Sequence, residues 1–309
     1  MSSRSVRPQV AVAPEPATNW VAGAVEAGGG EVVEPHAAEV LVWTDHDDPD
    51  GLAATIEANA ERLAWVQLPW AGVEPLIGVI DDRRLFTCGK GVYADPVAEH
   101  GLALLLAGFR HLAGYSRLAS WGPQHGRNLL GAKVTILGGG GITGSLLRLL
   151  DPFGCDITVV RNRPAPVEGA DRVLGWEEHQ AAIEGADALV LALALTPTTA
   201  GAIDAATLDL LHEHSWVINL ARGAHIVTDD LVAALAAGRI GGAGLDVTDP
   251  EPLPDGHPLW SEPRCIITPH VGNTEAMAIP LLSARISTNL RRWAEGAELI
   301  GTVDPALGY

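Results

Sequence analysis

Four consecutive glycines, Gly138 to Gly141, stand between the apolar run VTIL (134–137) and the helical pattern ITGSLLRLL. Glycine costs a helix or strand about 0.5–1 kcal/mol per residue relative to alanine, so such a run must serve a turn or a close approach that a side chain would block. Placed after a strand and before a helix, it predicts a cradle for a pyrophosphate. The turn is tight, no Cβ stands in the way, and the helix N-terminus offers unpaired N–H groups and partial positive charge. Two registers fit. Gly139-x-Gly141-x-x-Gly144 matches the written pattern, whereas Gly138-x-Gly140-x-x-Thr143 fits better the point where VTIL must end. The second is preferred; it puts Thr143 where close helix–strand packing usually takes glycine or alanine. In that register Gly138, Gly140, Gly141, Ile142 and Thr143 form the cradle.

The loop opens the second of two alternating series. Strands are expected at VTIL (134–137), DITVV (156–160), ALVLAL (188–193), SWVINL (215–220), GAGLDV (242–247) and RCIIT (264–268), with helices near 141–153, 176–184, 204–212 and 228–238. That predicts a doubly wound nucleotide-binding sheet of about six strands. The first hundred residues repeat the scheme, with strands QVAVA (9–13), VLVW (40–43), LAWVQL (63–68) and RLFTC (84–88) and helices near 17–28, 50–61 and 73–80. The fold class is therefore α/β, with two doubly wound parallel-sheet domains. A chain of 309 residues also exceeds the roughly 250–300 that one core supports. Between the series, Asp95-Pro96 is expected to cap a long helix over 97–115 that is apolar on nearly every side and hence buried. The final helix, after Asn273-Thr274, keeps Leu282, Ile286, Leu290 and Trp293 on one face, and Pro280 is a candidate kink. The expected domains are 1–95 plus 275–309, and 96–274.

The strand after the glycine loop discriminates between cofactors. An acidic residue normally stands at its end, about twenty residues on, to bind the ribose hydroxyls of NAD. Here DITVV runs into Arg161-Asn162-Arg163. A guanidinium fork suits a phosphate, so Arg161 and Arg163 predict NADP as the preferred cofactor, with NAD the alternative.

Composition excludes several partners. The formal net charge of -18 repels nucleic-acid backbones and anionic lipid surfaces. The most apolar run, 188–195, is far too short to span a membrane, and no segment reads as a targeting signal. Cys88, Cys155 and Cys265 are scattered and odd in number, so neither a disulfide framework nor a zinc site is expected, and the cytoplasm is the default compartment.

Three polar motifs sit at expected strand ends: INLARG (218–223), LDVTDPEPLP (245–254) and TPHVGNT (268–274). Ligands of open α/β sheets bind at carboxyl ends of strands, so these segments are expected to line one crevice. With the glycine loop, LAWVQLPWAGVE (63–74), GVYADPVAEH (91–100), ADALVLALALTPTTAG (186–201) and VDPALGY (303–309), the chain resembles the D-isomer-specific 2-hydroxyacid dehydrogenases over nearly its whole length. The resemblance implies a Rossmann NAD(P)-binding domain and a smaller flavodoxin-like substrate domain. It implies that Arg222 grips the carboxylate of a 2-oxo acid and polarises its carbonyl. His270 donates a proton to the carbonyl oxygen, and Glu251 pairs with His270 and favours its charged form. Asp246 would bond the nicotinamide carboxamide, and backbone donors of Trp70, Ala71, Gly72 and Val73 would hold the substrate carboxylate. Ala194, Thr196, Leu220 and Ala221 would lie near the cofactor. The other ten histidines, His100 and His179 among them, read as surface or core residues.

Three positions depart from the family pattern: Ala194 for a common proline, Leu220 for a common threonine, and Thr143 for the last glycine. The activity implied is a glyoxylate/hydroxypyruvate reductase in a homodimer built around 97–119. Trp70, Tyr93 and Trp121 are bulky candidates for the substrate pocket. A phosphoglycerate-dehydrogenase-like enzyme is weakened by the chain ending at Tyr309 with no regulatory extension. A dinucleotide-sensing binding protein, such as a co-repressor on the same fold, is opposed by the intact Arg222, Glu251 and His270.

Overall fold

The structure, a computed structural model, describes residues 7–14 and 19–305. Parts of three expected features, at 1–6, 17–18 and 306–309, lie outside them. The chain divides into two compact units, Met1–Tyr93 with Glu275–Tyr309, and Ala94–Thr274.

The first unit carries β1 (Gln9–Ala13), α1 (Asn19–Ala27), β2 (Glu31–Val32), β3 (Val40–Trp43), α2 (Pro49–Ala58), β4 (Trp65–Gln67) and β5 (Leu85–Thr87). The strands are all parallel in the order β2-β1-β3-β4-β5, a flavodoxin-like winding. VLVW is buried at every position because both faces of the sheet are covered. Leu41 and Trp43 face a core shared with Leu52, Leu68 and Leu76. Val40 and Val42 face Leu282, Ile286, Leu290 and Trp293 of the C-terminal helix Glu275–Glu295, which runs on through Pro280. Two features differ from the expected pattern. β2 is too short to show an apolar run, and the segment near 73–80 is a 3-10 helix, Glu74–Val79, rather than an α-helix. Pro75 and Gly78 leave it too few good helix formers for regular i→i−4 bonding.

The second unit begins with α3 (Ala94–Phe109) and α4 (Leu112–Tyr115) and continues through β6 (Lys133–Leu137), α5 (Gly141–Leu150), β7 (Asp156–Arg161), β8 (Arg172–Gly175), α6 (His179–Ile183) and β9 (Ala188–Leu191). It closes with α7 (Ala205–Leu208), β10 (Trp216–Asn219), α8 (Thr228–Ala236), β11 (Gly242–Leu245), α9 (Pro258–Ser261) and β12 (Cys265–Ile267). The described sheet has seven parallel strands, β12-β11-β10-β9-β6-β7-β8, with the Rossmann reversal between β6 and β9. The extra strand, β8, is a half-exposed edge whose RVLG shows neither alternation nor a long apolar run.

The long helix differs from its expected form in three ways. It starts at Ala94, so Asp95 lies inside the first turn, and its carboxylate accepts from Ser145 Oγ (2.6 Å) and Arg148 Nη2 (2.7 Å) of α5 instead of capping α3. It stops at Phe109, and His111 takes a left-handed φ of 55° before α4. It also has an open face: Glu99 and Ala103 are exposed, while Ala98, Gly101, Leu104, Leu105, Gly108 and Phe109 are buried. Two glycines explain the close packing of the buried face. A Cβ at Gly101 would come within 2.4 Å of Leu220 Cδ1, and one at Gly108 within 2.4 Å of the Trp216 ring. Among the described residues, no helix is long and apolar enough to cross a membrane.

Candidate active site

The glycine loop leaves the carboxyl end of β6. Gly138 takes a φ of +112°, where a side chain is strained, and a Cβ there would sit 2.0 Å from the carbonyl oxygen of Ala192. Its N–H donates to Val160 O (2.7 Å), and its carbonyl accepts from Thr143 Oγ1 (2.8 Å). Thr143 is fully buried, and a Cβ on Gly144 would meet nothing within 4 Å. Close helix–strand packing therefore falls on residue 143, in the Gly138-x-Gly140-x-x-Thr143 frame. A Cβ on Gly140 would also meet nothing within 4 Å. Among the described residues, no acceptor meets the N–H groups of Gly139, Gly140, Gly141, Ile142 or Thr143. Five converging donors at a helix N-terminus, with open space over Gly140, fit the phosphates of a dinucleotide. Arg161 ends β7 and folds against the loop, its Cδ 2.9 Å from where a Gly139 Cβ would stand. Arg163 lies two residues on and is exposed.

β10, β11 and β12 are neighbours in the sheet, so their carboxyl ends bring the three polar motifs together. Asn219, fully buried at the end of β10, donates through Nδ2 to Arg222 O (2.9 Å) and accepts from Ala221 N (3.0 Å). That fixes the turn carrying Arg222, whose Nη1 donates to Ala221 O (2.8 Å). Gly223 lets this turn lie against the next motif, since a Cβ there would be 1.9 Å from Thr248 O. Beyond it, Glu251 Oε2 accepts from Thr248 N (3.3 Å) and Oε1 lies 2.7 Å from His270 Nδ1. Both members of that pair are open to solvent, with side chains 42% and 54% exposed.

Asp246 holds the third motif in place. Its side chain is 4% exposed, and its oxygens accept from Thr268 Oγ1 (2.7 Å), Val271 N (2.9 Å) and Gly272 N (2.8 Å). Burial by itself would raise the pKa of this carboxyl. Hydrogen bonds from His100, Thr268, Val271 and Gly272 outweigh it and bring the value down to about 2. The His270 N–H donates to Asp246 O (2.8 Å), and His270 adopts a φ of 53°. The residue expected to meet the carboxamide thus also scaffolds the histidine turn.

Leu220, an unusual residue for its position, is buried against Gly101. Ala221 is buried and Ala194 exposed, and the Ala194 carbonyl accepts from Thr199 Oγ1 (2.9 Å), which also accepts from Thr196 N (2.9 Å).

Two residues here escape sequence reasoning. His225 is 1% exposed and sets its ring nitrogens 3.0 Å from Thr199 O and 3.3 Å from Leu193 O, tying the 193–199 loop to the Arg222 turn. Burial lowers its pKa, against the pull of the two carbonyls. His100, expected to be an ordinary core or surface histidine, reaches Thr268 and Asp246 from α3. The local signals are slight: His225 stands two residues past INLARG, and His100 is the last residue of GVYADPVAEH. His179, by contrast, stacks on Trp176 with ring centroids 4.6 Å apart and sets its Nδ1 2.7 Å from Trp176 O.

In the other unit, the loop after β4 exposes a row of donors. Among the described residues, the N–H groups of Trp70, Ala71, Gly72 and Val73 have no acceptor. Their carbonyls are engaged instead: Trp70 O accepts from Gly89 N (2.9 Å) and Ala71 O from Cys88 Sγ (3.6 Å). Four adjacent unpaired N–H groups suit an anion. Tyr93 is buried beneath Trp70, ring centroids 5.4 Å apart, with its hydroxyl donating to Pro69 O (2.8 Å). Trp121, the third bulky candidate, is 98% exposed.

Comparison with known proteins gives concordant findings. Residues 102–272 match the family model described as the NAD binding domain of D-isomer specific 2-hydroxyacid dehydrogenases. The chain is 36% identical over 294 residues to an uncharacterized protein in the proB 3′ region of Corynebacterium melassecola, covering 92% of this chain and 95% of that one. It is 32% identical to glyoxylate/hydroxypyruvate reductase A of Serratia proteamaculans, over 88% of this chain and 92% of that protein. Among solved structures, the D-isomer specific 2-hydroxyacid dehydrogenase of Xanthobacter autotrophicus Py2, in complex with NADPH and MES, superposes with a TM-score of 0.85 at 26% identity. That match covers 98% of this chain and all of the other.

Proposed function

The chain belongs to the D-isomer specific 2-hydroxyacid dehydrogenase family, and on that premise we propose that it reduces a small 2-oxo acid, glyoxylate or hydroxypyruvate, to the D-2-hydroxy acid with NADPH in preference to NADH. The observation that carries the reading is the 2.7 Å pairing of His270 Nδ1 with Glu251 Oε1 at the carboxyl edge of the sheet. With Nδ1 engaged, Nε2 is the nitrogen left to hold a proton toward substrate. The loop Gly138–Thr143 would hold the dinucleotide phosphates, and a nicotinamide held there would supply a hydride to the carbonyl carbon.

Everything else falls to the chain's own side chains. Reduction places negative charge on the former carbonyl oxygen; Glu251 favours the doubly protonated His270 ring beforehand, and the proton on Nε2 passes to that oxygen, leaving a neutral imidazole whose Nδ1 stays paired with Glu251. Arg222 faces the carboxylate and the polarised carbonyl as a fixed cation, and its Asn219-bonded turn reduces reorganisation. The Trp70–Val73 donors serve the carboxylate as a neutral anion site, and Asp246 serves the carboxamide. A substrate of one negative charge needs this much local attraction on a chain of net charge -18.

Two features support NADPH. The strand end carries Arg161 and Arg163 with no carboxylate, and the Arg161 side chain lies over the glycine loop. The Xanthobacter relative was solved with NADPH, and the Serratia relative is a glyoxylate/hydroxypyruvate reductase. A homodimer built around 97–119 is part of the proposal; Leu112 and Leu118 are 53% and 50% exposed there, and light scattering tests it.

Loss of reduced-nicotinamide absorbance with glyoxylate, hydroxypyruvate and phenylpyruvate, each with NADPH and NADH, tests the reaction. Turnover is expected with at least one of the first two, faster with NADPH. Absence of turnover with every 2-oxo acid and both cofactors refutes the proposal. Arg161→Asp is expected to move preference toward NADH, and an unmoved preference overturns the NADP assignment.

A further inference from the structure

Thr268 has one hydroxyl hydrogen, and it is committed. Its Oγ1 lies 2.7 Å from Asp246 Oδ1, a carboxylate that can only accept. The same Oγ1 lies 2.9 Å from His100 Nε2, which is also 3.3 Å from Asp246 Oδ1. Both neighbours of Nε2 therefore need a hydrogen from it, so His100 carries its proton there. The donor count alone excludes a ring protonated only at Nδ1.

From that hydrogen a continuous chain leads to the reacting group. His100 donates to Thr268, Thr268 to Asp246, and Asp246 takes the N–H groups of Val271 and Gly272 on its carboxylate and that of His270 on its carbonyl. These contacts bracket His270, whose φ of 53° is disfavoured for any residue with a side chain and persists only if its surroundings impose it. The bracketing sets where the ring stands relative to Glu251. His100 supplies the one side-chain donor in this network that comes from α3; Thr268, Val271 and Gly272 all belong to the loop being held.

We propose that His100 is a positioning residue for the reaction, locking the Thr268–Asp246 pair and through it the turn that presents His270. It rests on the role given to His270 above. An apolar residue at 100 would leave Thr268 Oγ1 short of a donor and free the hydroxyl to rotate away from Asp246, while Arg222 and the Trp70–Val73 donors would be untouched. The expected signature is thus a loss in kcat with little change in substrate KM.

The test uses the full chain and three variants. Histidine-selective 15N spectra, with His100 assigned by its absence in His100→Gln, are expected to show Nε2–H at neutral pH; a predominant Nδ1–H form overturns the proposal. In steady-state assays with glyoxylate and NADPH, His100→Leu is expected to lose about tenfold in kcat, the worth of one hydrogen bond in a charged network, with KM within about twofold. His100→Gln, whose amide N–H can still reach Thr268, is expected to recover to within about threefold of the parent. Unchanged kcat in His100→Leu, a KM increase matching the kcat loss, or a glutamine variant as slow as the leucine one each overturn it. His270→Ala, run in parallel, separates the two levels. If it abolishes turnover while His100→Leu does not reduce it, only the present inference falls. If His270→Ala itself is fully active, the functional reading beneath is at fault.

Discussion

Replacing Asp246 by asparagine removes one charge from the turn that carries His270, and the structure sets the size of the effect. The carboxyl is 4% exposed and titrates at about 2 against an ordinary 3.8. That gap makes the carboxylate worth about 2 kcal/mol of stability at neutral pH. Because the folded value is the lower one, the contribution is complete above the unfolded pKa and is lost as pH falls toward the folded value; roughly half survives at pH 3. Asparagine adds a second cost that does not titrate. Its amide nitrogen must face one of the donors on Thr268, Val271 or Gly272, leaving a buried donor unpaired at about 1–3 kcal/mol. Urea unfolding of parent and Asp246→Asn, run side by side at pH 7, 4 and 3, should show a difference of about 3–5 kcal/mol at pH 7 that shrinks by about 1 kcal/mol at pH 3. A difference that stays constant with pH would refute the argument that hydrogen bonds hold this carboxylate ionised. A difference below about 1 kcal/mol at pH 7 would refute the whole account of the turn.

Two glycines of one loop should fail in different ways. Gly138→Ala forces a Cβ to 2.0 Å from Ala192 O at a φ of +112°, and should lower the unfolding midpoint by roughly 4–10 °C in a thermal melt. Gly140→Ala meets nothing in the chain, so its melting point should hold while KM for the dinucleotide rises about tenfold or more, visible in cofactor titrations. Glu251→Gln keeps a partner for His270 Nδ1 but not the charge, and should cut kcat about 10- to 100-fold in the glyoxylate assay. Gly223→Ala should push the Arg222 turn off Thr248 O and raise KM for the 2-oxo acid more than it changes affinity for the dinucleotide, measured by fluorescence titration.

The repeating pattern of the chain was legible because it reflects local geometry. A strand buried on both faces needs an unbroken apolar run, and VLVW, ALVL and WVIN supply one. Where that demand relaxes, at the two-residue β2 and the half-exposed edge β8, the pattern fades and neither strand is legible in the sequence. The apolar stretch over 97–115 named a helix but not its end, because the left-handed turn at His111 is an exception that apolar periodicity does not encode. Asp95 reads as a cap by every local rule, yet its carboxylate bonds to Ser145 and Arg148, partners set by the packing of α3 on α5.

The candidate site divides along the same line. The glycine loop and Arg161 follow from strand-end chemistry that a linear reading can find, and positions 222, 251 and 270 from polar motifs whose roles the family resemblance implies. His100 could not be found that way, because it stands 168 residues from Thr268 in the chain and 2.9 Å from it in space. Which histidine meets which hydroxyl depends on distances of a few tenths of an ångström, and those are fixed only when helix, sheet and turn pack together. Sequence by itself determined the alternation of strand and helix and the donors offered at each strand end; tertiary structure alone decided how those donors are shared among distant residues, because a hydrogen bond senses separation in space rather than along the chain.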